Sequence, residues 1–152
     1  MSDDFSDVAE SNADYVTAFP GKDVPGLPAK KMLLLTCMDC RILPHQALGM
    51  ELGDMKVLRN GGGQLNSAIE SDIVLANHVL ECDRILIMQH TRCGMAASTL
   101  ESVREAVESN TGVDASQFTP SVIDNQMEKL TQDVKTLRSN PLLKSNVVVQ
   151  GA

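Results

Sequence analysis

Tryptophan is absent from this chain, and rings of any kind are scarce, with three Phe and one Tyr among 152 residues. Leu, Ile, Val, Met and Ala must therefore fill the interior, and the eight Met serve as adaptable gap fillers. Positive charge is also short: thirteen Lys and Arg face twenty Asp and Glu, for a net charge of -7. No basic field exists to displace counterions from a phosphate backbone, so no nucleic-acid partner is expected. Four cysteines in 152 residues are too few for a disulfide scaffold. No apolar run approaches the roughly 20 residues of a membrane span. The acidic start Ser2-Asp3-Asp4 lacks the basic and apolar segments of a secretory signal. A cytoplasmic, reducing location without membrane contact is the expectation, and it leaves the thiols free to bind metal.

The length suggests one α/β domain spanning residues 1–152, and the apolar fraction of 43% is ordinary for a globular protein. Residues 1–28 read as an N-terminal helical arm and linker. Residues 1–5 look frayed. Ser6 caps a helix to about residue 18, with Val8, Tyr15, Val16 and Phe19 as apolar contacts; a loosely packed arm is the alternative. Three prolines and two glycines make residues 20–28 a turn-rich connector. Strands are expected at 31–37, 55–59, 84–89 and 147–150. Helices are expected at 44–50, 66–80, 95–108 and 121–137. This alternation predicts a mostly parallel four-stranded sheet flanked on both faces by helices, with right-handed crossovers.

Cys37 ends the first apolar strand, and His90-Thr91-Arg92-Cys93 follows the third. Two parallel strands side by side bring Cys37, His90 and Cys93 together at their C-terminal ends, where open α/β sheets place ligands. Two thiolates and an imidazole suit zinc and leave a fourth position for water, which points to a hydration or hydrolytic enzyme. Cys37-x-x-Cys40 permits two rivals. One is a thioredoxin-like redox site, and the other is a closed structural zinc module using Cys37, Cys40, His90 and Cys93. Gly61, Gly62 and Gly63 read either as an anion-binding nest or, better, as a tight strand-to-helix turn lining the site. His45 reads as a solvated helix residue that could reach the pocket mouth. His78 has no metal-binding company, and Cys82 reads as a buried thiol.

Cys37-x-Asp39-x-Arg41, then Arg59-Asn60-Gly61-Gly62-Gly63, then His90-x-x-Cys93-Gly94 resemble the β-carbonic anhydrase family. The resemblance runs from about residue 32 to 95 and more weakly beyond. It implies a β-carbonic-anhydrase-like fold, Zn²⁺ on Cys37, His90 and Cys93, and a catalytic Asp39–Arg41 dyad beside it. It implies hydration of carbon dioxide to bicarbonate by a zinc-bound hydroxide. Carbonyl sulfide, hydrolysed to hydrogen sulfide and carbon dioxide, is the alternative substrate, and carbon disulfide a more distant one. The partners are then water and a small linear gas. The resemblance also implies a homodimer or homotetramer, with the N-terminal arm across a partner subunit. Relatives continue past the last strand, so a C-terminal strand or arm is expected to be missing here. Two thiolates cancel the formal charge of Zn²⁺, so the bound water needs help: Asp39 accepts its hydrogen bond, and Arg41 keeps Asp39 ionised. The chain departs from the family's usual wording at Cys40, at Gly61 in place of Ala, and at Arg92 in place of Asp.

Overall fold

The computed structural model describes residues 4–152. Four strands, β1 (Met32–Cys37), β2 (Met55–Asn60), β3 (Arg84–Met88) and β4 (Val148–Gly151), form one sheet in the order β2-β1-β3-β4. Every pairing is parallel, so the sheet is wholly rather than mostly parallel. β1 lies in the middle and is buried at every position, which explains its unbroken apolar run. The helices are α1 (Ser6–Thr17), α2 (Pro44–Leu48), α3 (Ser67–Val79), α4 (Gly94–Ala97), α5 (Leu100–Thr111) and α6 (Gln126–Arg138).

Alternate residues of a strand point to opposite faces. Leu33, Leu35, Ile85, Ile87 and Val149 meet Ile69, Ile73 and Ala76 of α3 and Leu130, Val134 and Leu137 of α6. This is the main core. Met32, Leu34 and Met55 form a smaller cluster on the other face, against Leu48 of α2 and Met50. That face is thinly covered, and Val148 at its edge is 54% exposed.

Three expectations change. Residues 95–108 do not form one helix, because Thr99 starts a new one. Its side chain accepts from the Ser102 backbone N–H, and Ser102 Oγ accepts from the Thr99 backbone N–H, a reciprocal capping box that opens α5. The helix expected from 121 begins only at Gln126, because Asn125 caps it by accepting from the N–H groups of Met127 and Glu128. Ile123 is buried, but from a non-helical segment whose N–H donates to the Met95 carbonyl at 2.9 Å. The third change is in α1, which buries none of its residues in this chain. Tyr15 and Phe19 pack at a tilt of 56°, ring centroids 5.4 Å apart, and Val8 and Val16 are exposed. Of the frayed stretch at 1–5, residues 1–3 lie outside the described residues, and Phe5 precedes α1 as its N-cap. Among the described residues no helix is long and apolar enough to cross a membrane.

The Asn125 cap holds the start of a helix that supplies three core side chains. Asn125→Ala should cost about 1 kcal/mol in urea unfolding, and Asn125→Asp should recover most of it.

Candidate metal centre

β1 and β3 pair so that Thr36 stands opposite Met88. The chain leaves both strands just beyond this pair, at the same end of the sheet. The Thr36 hydroxyl donates to the Met88 carbonyl at 2.8 Å and ties the two exits together. Cys37, His90 and Cys93 thereby converge, with their donor atoms all within 4.8 Å of one another. The two Sγ atoms are 3.9 Å apart, within hydrogen-bond reach and not joined by a disulfide. Sulfurs each at ~2.3 Å from a tetrahedral zinc stand roughly 3.8 Å apart, so the spacing fits such an ion. His90 Nε2 is buried and has no hydrogen-bond partner, a costly state that a metal bond would relieve. Burial pushes the Cys93 thiol pKa up against the opposing pull of the Met95 and Ala96 backbone N–H groups. A thiolate there needs a cation beside it. The donor set therefore fits a divalent, thiophilic metal.

Asp39 lies against this group, with Oδ2 at 4.0 Å from His90 Nε2. Arg41 grips it twice, Nε to Oδ1 at 2.8 Å and Nη2 to Oδ2 at 2.6 Å, and the Arg41 backbone N–H adds a bond to Oδ1 at 2.9 Å. These hydrogen bonds, the side-chain ones first, hold the Asp39 carboxyl far below the usual carboxylate range. The carboxylate is thus a fixed acceptor aimed at the donor group. Arg41 Nη2 also reaches the Arg92 carbonyl at 3.2 Å, which links the loops that follow β1 and β3.

The glycine turn follows β2 and packs against the Cys37 backbone. Asn60 stands opposite Cys37 in the sheet. Its side chain bonds the backbone N–H and carbonyl of Gln64, and Gln64 Nε2 spans to the carbonyls of Gly61 and Ser121. Gly62 and Gly63 have φ of 82° and 63°, so both need glycine's freedom. A side-chain carbon on Gly63 would sit 2.8 Å from the Cys37 backbone nitrogen. Gly61 is less confined: a methyl there would meet the Met95 Sδ at 3.3 Å. The turn reading of these glycines agrees with the geometry, since their space is filled by Cys37, Ile123 and Met95.

One contributor escaped the sequence reading. Arg59 donates Nε to the Cys37 carbonyl at 2.9 Å, Nη2 to the Asp39 carbonyl at 2.6 Å and Nη1 to the Ile42 carbonyl at 3.4 Å. It holds the backbone between ligand and dyad. The motif contained it, but no pattern marks a cation bound to carbonyls. Of the remaining candidates, Cys40 is exposed and outside the donor group. His45 is half-buried on α2. His78 Nε2 is bonded to the Leu142 carbonyl at 2.8 Å. Cys82 is the expected buried thiol, its pKa raised chiefly by burial.

A family model described as carbonic anhydrase matches residues 32–152. Similar proteins include beta-carbonic anhydrase 1 of Mycobacterium tuberculosis (strain ATCC 25618 / H37Rv). It is 26% identical over 145 residues, which cover 95% of this chain and 88% of that protein. A carbon disulfide hydrolase of Acidithiobacillus thiooxidans is 26% identical over 147 residues, covering 83% of this chain and 73% of that protein. Among solved structures, a carbonic anhydrase from Streptococcus mutans matches with a TM-score of 0.88 at 27% identity, covering 100% of this chain and 92% of that one.

The two glycines at either end of the turn should respond differently to the same methyl group. Gly63→Ala, strained in φ and forced against Cys37, should lose more than about 2 kcal/mol of stability. It should also bind zinc less tightly in a chelator competition. Gly61→Ala, met only by a flexible thioether, should stay within about 1 kcal/mol of wild type and keep its zinc.

Proposed function

The chain belongs to the β-class carbonic anhydrase family, and from that membership we propose that it hydrates carbon dioxide to bicarbonate, with zinc held by Cys37, His90 and Cys93. The observation that carries the reading is the buried, unpartnered His90 Nε2 beside two thiols 3.9 Å apart, with the Asp39 carboxylate 4.0 Å away. Bound there, zinc would supply an acidified water as the nucleophile. The two thiolates of Cys37 and Cys93 would compensate the ion's charge, so the metal would acidify water less than it does beside three imidazoles. The dyad supplies the remainder. Asp39 Oδ2 accepts a hydrogen bond from the attacking water and so turns the water's lone pair toward the substrate carbon. Arg41 keeps that carboxylate ionised and in one orientation, at no cost in reorganisation during the reaction. Arg59 fixes the loop between Cys37 and Asp39, and the turn at Gly61, Gly62 and Gly63 forms the pocket floor.

Carbonyl sulfide hydrolysis is the second reading. It is favoured by the similarity to a carbon disulfide hydrolase and by Gly61, where the floor carries no side chain opposite the Met95 thioether. Water's oxygen bonds to carbon, the carbon–sulfur bond breaks, and carbon dioxide and hydrogen sulfide leave without any change in oxidation state.

A homodimer or homotetramer completes this reading, supported by the uncovered α1 and the thinly covered sheet face. The four free cysteines support a cytoplasmic, reducing setting.

The deciding experiment is stopped-flow carbon dioxide hydration at pH about 8.5, using protein that holds one zinc per chain. Fast turnover is expected, and Asp39→Asn should lower it by about 100-fold while keeping zinc. Full activity in that variant would refute the role given to Asp39. Feeble turnover accompanied by hydrogen sulfide release from carbonyl sulfide would favour the second reading. Cys40→Ser should retain its zinc, since a three-ligand site does not use that thiol.

A further inference from the structure

We propose that Arg92 is a binding residue for the anionic product, its guanidinium drawing bicarbonate to the mouth of the site. The inference rests on the carbon dioxide reading above. Arg92 lies between two of the three proposed ligands, His90 and Cys93. Its φ of 56° is left-handed, an uncommon state for a side chain of this size. The turn directs its carbonyl to Arg41 Nη2 at 3.2 Å, which pins this loop beside the dyad. Its own side chain is exposed, and among the described residues its guanidinium makes no hydrogen bond or ion pair.

The charges around it leave its positive charge uncancelled. Asp39 is neutralised by Arg41. Two thiolates would cancel the metal. Arg59 binds only the carbonyls of Cys37, Asp39 and Ile42, so its charge has no carboxylate either. Arg59 and Arg92 thus place two guanidinium groups without a carboxylate partner, among the described residues, at this end of the sheet, in a chain of net charge -7. Carbon dioxide carries no charge and feels little of this field, whereas bicarbonate is attracted by it. Arg92 therefore acts on the product, and on the substrate of the reverse reaction, rather than on the gas.

Affinity must be read directly. Thermodynamics fixes the ratio of kcat/KM in the two directions, so no variant can change one of them alone. The readout is the bicarbonate inhibition constant during carbon dioxide hydration, together with calorimetric titration of the zinc-loaded protein with bicarbonate. Arg92→Asn removes the charge and tolerates the left-handed backbone. It should weaken bicarbonate binding by about threefold at low salt, the effect of one unit charge acting through a mostly aqueous medium. The difference should shrink as ionic strength rises from about 0.01 M to about 0.15 M. Arg92→Lys should stay near wild type. Unchanged bicarbonate affinity in Arg92→Asn, or equal losses in the Asn and Lys variants, would overturn the proposal, the latter because it marks a backbone effect. A wild-type protein that holds zinc but does not hydrate carbon dioxide overturns the parent reading instead, and that assay comes first.

Discussion

The register between β1 and β3 is the constraint on which the site depends. Cys37 is the last residue of one strand, and His90 comes two residues after the end of the other. Neither side chain is long enough to compensate for a misplaced strand. A one-residue slip would turn Leu33 and Leu35 out of the main core and would carry His90 away from Cys37. Apolar side chains fix the faces, and the buried hydroxyl of Thr36, bonded across the pair to Met88, fixes the ends. A polar residue in a fully buried strand therefore serves as the joint between fold and chemistry.

Beyond the strand ends, backbone clamps take over. Arg59 reaches from β2 to three carbonyls of the Cys37 loop, and Arg41 reaches across to the His90–Cys93 loop. The glycine turn is held from behind. Asp133, 3% exposed, accepts from the Leu65 N–H at 3.0 Å, and its partner Lys129 donates to the Leu65 carbonyl. This half-buried pair fixes the residue after Gln64 and so steadies the turn that presses on Cys37. Such outer contacts orient ligands and are as much part of a metal site as the ligands themselves.

The sequence revealed most where one physical rule acted alone. Met32 to Leu35 and Ile85 to Met88 are apolar without alternation, and both proved to be parallel strands. The converging Cys37, His90 and Cys93 followed from placing those strands side by side. It revealed less where two rules competed. Ile123 continues the stripe of Met127, Leu130 and Val134, so periodicity extended the helix through it; Asn125 instead offered a cap, and the cap prevailed. At Thr99 a serine three residues on completes a box usually closed by Glu or Gln, a weaker signal in the letters than in the hydrogen bonds. Arg59 was hidden for another reason: its partners are carbonyls, which every residue possesses and no motif records. The apolar side of α1 was legible as a stripe, but the stripe does not say whether its cover lies in the same chain.

These clamps share a property that separates folding from metal binding. Arg59 holds carbonyls, Arg41 holds a carboxylate and a carbonyl, and Asn60 and Asp133 hold backbone groups. None of them occupies His90 Nε2 or binds a ligand sulfur. The clamps and the core around α3 and α6 therefore use none of the donor atoms. This differs from small zinc modules, in which binding energy is folding energy. Here the cost lies at the donors, in burying the Cys93 thiol, whose ionised form is disfavoured, and an imidazole nitrogen without a hydrogen-bond partner. A metal bound at this point would offset a local penalty that the fold concentrates there, and its affinity would depend on how rigidly the clamps hold the donors.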